Sequence, residues 1–246
     1  MIVRTSGEHL LLITQPDHAR LAADIAAVWE ADGFATNPRR PSLLLATREH
    51  DDGWIEPDSA PEIDPTSGHP YEFLSAPSVT KQAVWPRAVE RLQLVDPLAA
   101  AFVAEHALTV LNNYRSSPAW HSFFDRISTS RNALLKRSGI DTPEARAQFT
   151  RDYRLLYLAD YLSLAFCNAW SQPCDASGYR FGMHDDELRV SPDPFSKGRV
   201  DLSVSARRIP NCRYASTAEL RRAIADGETI SVRGRAVGAA VASDLR

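Results

Sequence analysis

The stretch Leu43-Leu-Leu-Ala-Thr-Arg-Glu-His-Asp-Asp-Gly-Trp54 joins a short apolar segment to an abruptly polar end. If it is helical, with about 3.6 residues per turn, the side chains that share one stripe are those of Leu43, Ala46, Thr47 and His50. His50 then points inward, and Asp51 lies on the adjoining face. Gly53 is typical of a helix C-terminus, where glycine adopts a positive φ without strain. An imidazole and a carboxylate at the inner end of an apolar helix can coordinate one metal ion, although the same residues also suit an exposed turn.

The composition is that of an ordinary globular protein. The 246 residues, 44% hydrophobic and 24% charged, predict a single domain over residues 1–246 with a substantial core. A formal net charge of -3 gives no support for a nucleic-acid or membrane partner, so the expected partner is a small-molecule substrate. Three cysteines without CxxC spacing indicate neither a disulfide framework nor a zinc–thiolate site. Because no apolar run has signal length or approaches the ~20 residues of a membrane span, we expect a cytoplasmic protein. The oligomeric state is left open.

Two further polar residues lie on apolar faces of predicted helices. His18 follows Gln15-Pro-Asp at the start of a helix and shares a stripe with Leu21 and Ile25. Asp160 lies on a long helix that begins after Thr142, and its stripe is otherwise apolar. His18 alone is compatible with a hydrogen-bonded structural histidine. A buried carboxylate needs a cation or hydrogen-bond donors, so the partner of Asp160 is either an arginine or a metal ion.

The hydrophobic period changes from about 3.6 to about 2 near residue 178. Residues 188–190, 200–204 and 229–232 alternate apolar and polar side chains, and residues 1–14 read as a hairpin. We therefore predict a mainly α-helical protein, with a helical bundle over residues 15–175. A small antiparallel β-sheet appendage is predicted to join residues 1–14 with residues 178–246.

Three motifs resemble a known superfamily. They are Gln15-Pro-Asp-His18, Leu44-Leu-Ala-Thr-Arg-Glu-His-Asp-Asp-Gly53 and Tyr157-Leu-Ala-Asp-Tyr-Leu-Ser163. Their order, a histidine, then His-Asp, then a distant Asp in a helical domain, is similar to that of the HD-domain superfamily of metal-dependent phosphohydrolases, over roughly residues 15–170. More narrowly, Met1-Ile-Val-Arg4, the Gln15-x-Asp-His18 motif and His50-Asp-Asp-Gly-Trp54 resemble an uncharacterised bacterial family with no assigned function.

The resemblance implies an HD-like helical core that holds a divalent metal ion, with Mn, Fe, Zn and Mg as the candidates. Carried over residue by residue, it implies metal ligation by His18, His50, Asp51 and Asp160. Members with two metals usually add histidines between the His-Asp pair and the last Asp. His106, at the margin of a packed helical face, is the best additional ligand in that interval. One metal is favoured over two.

The predicted activity is metal-dependent hydrolysis of a small phosphorylated or nucleotide-like substrate. A divalent ion lowers the pKa of bound water, and Asp51 or Asp52 is the predicted proton acceptor. The candidate substrate-binding residues are Gln15, Arg39, Arg40, Arg48 and Arg131, since a phosphate in a cleft requires a fixed cation. One alternative is an HD-type diiron oxygenase, which needs His106 and His69 at the site. Another is a non-catalytic binding module.

Overall fold

The computed structural model describes residues 1–195 and 198–239. This part of the chain contains eight α-helices and seven β-strands. The helices are α1 (Gln15–Ala27), α2 (Arg40–Glu49), α3 (Ile55–Ser59), α4 (Ser78–Leu92), α5 (Pro97–Val110), α6 (His121–Arg137), α7 (Pro143–Asn168) and α8 (Thr217–Asp226). The strands are β1 (Ile2–Ser6), β2 (His9–Ile13), β3 (Cys174–Ala176), β4 (Tyr179–His184), β5 (Glu187–Ser191), β6 (Arg199–Pro210) and β7 (Glu228–Gly238). Residues 196–197 and 240–246 of the predicted β appendage lie outside the described residues. No helix within the described ranges is long and apolar enough to cross a membrane.

The prediction of a mainly α-helical bundle with a small antiparallel sheet is wrong. The chain is about 53% helix and 22% strand, and its curled sheet has seven strands, so the fold is α+β. The strand order is β1-β2-β6-β7-β5-β4-β3, and the β5–β7 pair is parallel, which makes the sheet mixed. The two ends of the chain do meet in this sheet, because β2 pairs with β6.

The burial of β2 on both faces explains its continuous apolar sequence, Leu10-Leu-Leu-Ile13. Leu11 and Ile13 belong to the large core between the sheet and the helices. Leu10 and Leu12 belong to a second, smaller core, which Leu220 of α8 helps to form. The sheet is therefore a full layer of the protein.

Helix boundaries follow the capping chemistry of the sequence. The side chains of Thr14, Asp96 and Thr142 accept hydrogen bonds from the first backbone N–H groups of α1, α5 and α7. A proline follows each cap in the first turn, where its missing N–H costs no hydrogen bond. These three helices thus begin at fixed positions, which sets the register of the polar residues that they carry.

The packing of the helices brings four of them to one place. Helix α1 contacts α7 and α2, while α5 contacts α2, α4, α6 and α7. Helices α1 and α7 also lie against the sheet, α1 on β6 and α7 on β1, β4 and β5. The inward faces of α1, α2, α5 and α7 consequently meet inside the helical layer, and each contributes a polar side chain there.

Candidate metal centre

Five buried polar side chains converge where these helices meet: His18, His50, Asp51, His106 and Asp160, here called the His–Asp cluster. Each is at most 6% exposed. The Nε2 atom of His18 lies 3.0 Å from Asp51 Oδ2 and 3.4 Å from Asp160 Oδ1. His50 Nε2 lies 3.5 Å from Asp51 Oδ2 and 3.4 Å from Asp160 Oδ1. His106 Nε2 approaches the other oxygen of Asp160, Oδ2, at 3.4 Å. The structure thus brings together all four predicted principal ligands and the weaker fifth.

Hydrogen bonds on the far side of two rings leave their Nε2 atoms available as ligands. His50 Nδ1 lies 2.7 Å from the carbonyl oxygen of Thr47, which can only accept, so the Nδ1 proton is donated there. The Ser163 hydroxyl donates to the Asp160 carbonyl oxygen, so at 2.7 Å it accepts from His18 Nδ1. When such a ring carries its only proton on Nδ1, as it would in binding a metal, the Nε2 lone pair faces the carboxylates. Such outer contacts typically orient metal-binding histidines.

The spacing of these donor atoms fits one ion. With ligand bonds of about 2.1 Å, neighbouring donors in a tetrahedral site are about 3.4 Å apart. The four contacts between the His18 and His50 Nε2 atoms and the carboxylates of Asp51 and Asp160 span 3.0–3.5 Å. His50 Nε2 is also buried and forms no hydrogen bond, since neither carboxylate meets it with hydrogen-bond geometry. An unpaired nitrogen directed at two carboxylates is the arrangement that a cation would satisfy.

The charges of the cluster are strongly coupled. Burial lowers the pKa of His50, but Asp51, Asp160 and the Thr47 carbonyl outweigh it and raise the pKa to about 9. Burial raises the pKa of Asp160, and His106 and His50 outweigh that effect and hold it well below its usual range. Desolvation dominates at His106, whose pKa is lowered. Without a metal, a proton on His50 therefore places one positive charge beside the Asp160 carboxylate.

All five residues of the cluster line a cavity of about 180 Å³. The other lining residues are mostly apolar or aromatic, namely Trp54, Phe73, Leu74, Trp85, Val110, Leu111, Tyr114 and Leu164, with Gln15, Lys81 and Asn113 as the polar ones. A larger cavity of about 710 Å³ lies elsewhere, and none of the cluster residues lines it. Metal-dependent chemistry requires the histidines and aspartates of the cluster, and only the smaller of these two cavities contains them, so it is the candidate site.

The four predicted phosphate-binding arginines do not line this cavity. Arg39 pairs with Asp152 at 2.9 Å beside the larger cavity, and Arg131 pairs with Glu105 at 2.6 Å. Arg40 donates to the carbonyl oxygens of Ala27 and Trp29 and lies over the Phe34 ring. Arg48 is largely exposed beside Glu49. Each guanidinium contacts another group of the protein, and none of the four lies among the residues that line the cavity. Gln15, the fifth candidate, does line the cavity.

Asp52 lies outside the cavity lining, and Gly53 has a backbone role that differs from the predicted one. Asp52 is not among the residues that line the cavity, and burial together with the adjacent Glu49 carboxyl raises its pKa to about 7. Gly53 lies in a short 3-10 turn, Asp52–Trp54, and is not among the glycines with positive φ. Its Cβ would instead lie 1.8 Å from the backbone oxygen of Val84. Glycine is needed there because α4 approaches the turn closely.

Sequence reasoning missed most of the cavity wall. Trp54 follows the His-Asp-Asp-Gly run directly, so its place beside the ligands could have been inferred. Lys81, Trp85 and Tyr114 carry no local pattern that distinguishes them from core or surface residues. His69, required by the diiron alternative, is not among the residues that line the cavity.

Comparisons with known proteins place the chain in a family without adding an activity. No curated protein matches the sequence, and no solved structure matches the fold. One family model, described as a protein of unknown function (DUF3891), matches residues 1–211. That range contains every residue of the His–Asp cluster and its cavity. The chain therefore belongs to the DUF3891 family of proteins of unknown function.

Proposed function

We propose that the protein is a metal-dependent hydrolase of a small molecule and that the His–Asp cluster holds one divalent ion. The observation that carries this proposal is the convergence of three imidazole Nε2 atoms and two carboxylates in the lining of a largely apolar cavity. A bound divalent ion would polarise a substrate oxygen and lower the pKa of a bound water. The HD resemblance of the motifs supports the same chemistry.

The residues of the chain divide the work between binding and proton transfer. Asp51 Oδ2 contacts His18 and His50, whereas Asp51 Oδ1 takes part in none of the cluster contacts. Oδ1 is thus the oxygen that suits the proton-accepting role predicted for Asp51. The cluster side chains are buried beside an aromatic wall, and burial strengthens electrostatic interactions there. The proposal does not extend to a phosphorylated substrate, since the predicted arginines lie elsewhere.

One ion per chain fits the cluster better than two. The described residues contain two groups of three potential ligands, His18–His50–Asp51 and His50–His106–Asp160, and both depend on His50. The single Nε2 lone pair of His50 can serve only one ion. The diiron oxygenase is the second candidate, because His106 reaches the cluster, whereas His69, which that function also requires, does not line the cavity.

The test is the metal content and metal-dependent hydrolysis of the purified protein. We expect one equivalent of a divalent ion per chain, together with hydrolysis that a chelator abolishes and one equivalent of metal restores. The screen would use uncharged esters, amides and phosphate esters. Two irons per chain with oxygen consumption would favour the oxygenase. A protein that takes up no metal after incubation with Mn, Fe, Zn and Mg would refute both and leave the binding module.

A further inference from the structure

Unpaired polar atoms are concentrated at the candidate site. Four buried side-chain atoms of the described residues lack a hydrogen-bond partner: Gln15 Oε1, His50 Nε2, Trp54 Nε1 and Arg131 Nε. The first three belong to residues that line the 180 Å³ cavity. The metal proposal accounts for His50 and leaves Gln15 and Trp54 unexplained. Unpaired buried polar groups are costly, so their presence together in one cavity points to a ligand that satisfies them.

Gln15 is held in place for such a role. Its backbone N–H donates to Asp58 Oδ2 at 2.7 Å, and the residue is 3% exposed at the first turn of α1, one turn before His18. The side-chain oxygen Oε1 is buried without a hydrogen-bond partner, so it presents an acceptor. The indole Nε1–H of Trp54, which is also buried and unpaired, presents a donor. The ligand group that matches this set both donates and accepts hydrogen bonds.

Resting on the hydrolase proposal, we infer that the cavity selects a small, largely apolar amide carrying at most one negative charge, recognised by Gln15 and Lys81. Esters, thioesters and phosphate esters offer acceptors only, whereas an amide offers N–H and C=O together. In the reaction, water adds to the amide carbon and the C–N bond breaks. The water oxygen stays on the carbon and both water protons end on the leaving nitrogen, giving a carboxylate and an ammonium group.

Lys81 sets the charge of the substrate. It is the one lysine or arginine among the described residues that line the cavity. Its Nζ donates to the Leu74 carbonyl at 2.6 Å and lies 3.4 Å from the Tyr114 hydroxyl, so one of its three N–H bonds remains for a ligand. The two carboxylates of Asp51 and Asp160 would balance the charge of a divalent ion. The charge of Lys81 is then the remaining positive charge at the site, and it matches one substrate anion.

The size and lining of the cavity favour a compact apolar body. Its volume of about 180 Å³ is below the ~300–1,000 Å³ of pockets that hold drug-sized ligands. The rings of Trp54, Phe73, Trp85 and Tyr114 form much of its wall. An aromatic or aliphatic group of a few carbons would pack against these rings.

Three matched probes test the inference by binding to the metal-loaded protein, measured by calorimetry. Hippurate is a benzamide with one carboxylate, methyl hippurate keeps the amide without the charge, and phenyl phosphate is a dianion without an amide. We expect hippurate to bind most tightly. Lys81→Met should weaken hippurate about tenfold and leave methyl hippurate unchanged, while Gln15→Met should weaken both about tenfold. Lys136→Met, on an exposed face of α6, is the matched control.

The outcomes separate this inference from the hydrolase proposal. Tighter binding of phenyl phosphate, no binding of hippurate, or unchanged affinities in Lys81→Met would overturn the amide inference. Lys81 is only half-buried, so we expect Lys81→Met to fold. This variant therefore tests the inference even if Gln15→Met fails to fold. Metal retention with hydrolysis of another substrate class would leave the hydrolase proposal standing. If the probes bind as expected but the protein hydrolyses no amide, the inferred recognition site is supported and the hydrolase proposal is refuted.

Discussion

Replacing Asp160 by asparagine is the sharpest perturbation of the His–Asp cluster. The Asp160 carboxylate contacts the Nε2 atoms of His18, His50 and His106, each at 3.4 Å. Asparagine keeps the size and shape of the side chain but removes its negative charge. We therefore expect Asp160→Asn to lose metal without creating a cavity in the core.

The size of the effect follows from the contact with His50. In the metal-free protein His50 carries a proton at neutral pH, since its pKa is raised to about 9. Two unit charges 3.4 Å apart interact by about 5 kcal/mol at an effective dielectric constant of about 20. Because desolvation offsets part of this, we expect the metal-free variant to be about 3 kcal/mol less stable. For a chain of this length, that loss lowers Tm by about 6–12 °C.

Metal content by mass spectrometry and Tm by calorimetry measure the two effects. The matched control is Asp152→Asn, a buried aspartate two turns earlier on α7 that pairs with Arg39 and lies outside the cluster. It should also lower Tm, but it should leave the metal content and the stabilisation by added metal unchanged. Asp160→Asn should show at least a hundredfold weaker metal affinity, a larger loss than that of an outer-shell contact. Equal metal retention in the two variants would refute the reasoning.

Three further predictions address the same site. Asp51→Ala should abolish metal retention, whereas His121→Ala, at an exposed position, should retain a full equivalent by mass spectrometry. The raised pKa of His50 stabilises the metal-free fold below its ordinary value of 6.5, and that contribution is lost as the pH rises through about 9. Between these pH values, Tm of the metal-free protein should fall while metal affinity, measured by titration, rises; a flat profile would contradict the assigned coupling. Gly53→Ala should lower Tm and metal affinity together, because its Cβ would collide with the Val84 backbone and displace the turn after His50.

The cluster could be predicted because its determinants are local. His18 and Asp160 stand on helices and His50 directly follows α2; the apolar stripe of each helix is visible in the sequence, and a 3.6-residue period indicates which face points inward. His106 was harder to assign, since nearly all of α5 is apolar and most of its faces are buried. Helical periodicity indicates which side chains point inward. It does not by itself give the distances between them, which here depend on how the helices pack.

The extent of the sheet was mispredicted, and the predicted arginines lie outside the cavity, both for non-local reasons. An arginine side chain is long enough to pair with a carboxylate that is distant in sequence. Arg39 pairs with Asp152 of α7, a contact that local sequence does not predict. The strand predicted at residues 229–232 extends to Gly238, past a glycine that breaks the alternating pattern. Gly234 is required because a Cβ there would lie 2.4 Å from the Asp186 carbonyl oxygen and 2.7 Å from the Phe166 ring. The glycine interrupts the alternating sequence pattern, so the pattern alone did not predict the full strand. The reason for the glycine, close packing against Asp186 and Phe166, exists only in the folded protein.

The correction to the fold bears directly on the site. Helices α1 and α7, which carry His18 and Asp160, both rest on the sheet, and the sheet joins the two ends of the chain. The Ser163 hydroxyl links these helices, because it bonds to the Asp160 carbonyl and accepts from the His18 ring. A sheet that backs α1 and α7 fixes the separation of two ligands that are far apart in sequence. The β layer is therefore part of what positions the His–Asp cluster, and its loss would be expected to separate His18 from Asp160 before it disturbs His50 and Asp51, which are adjacent in the chain.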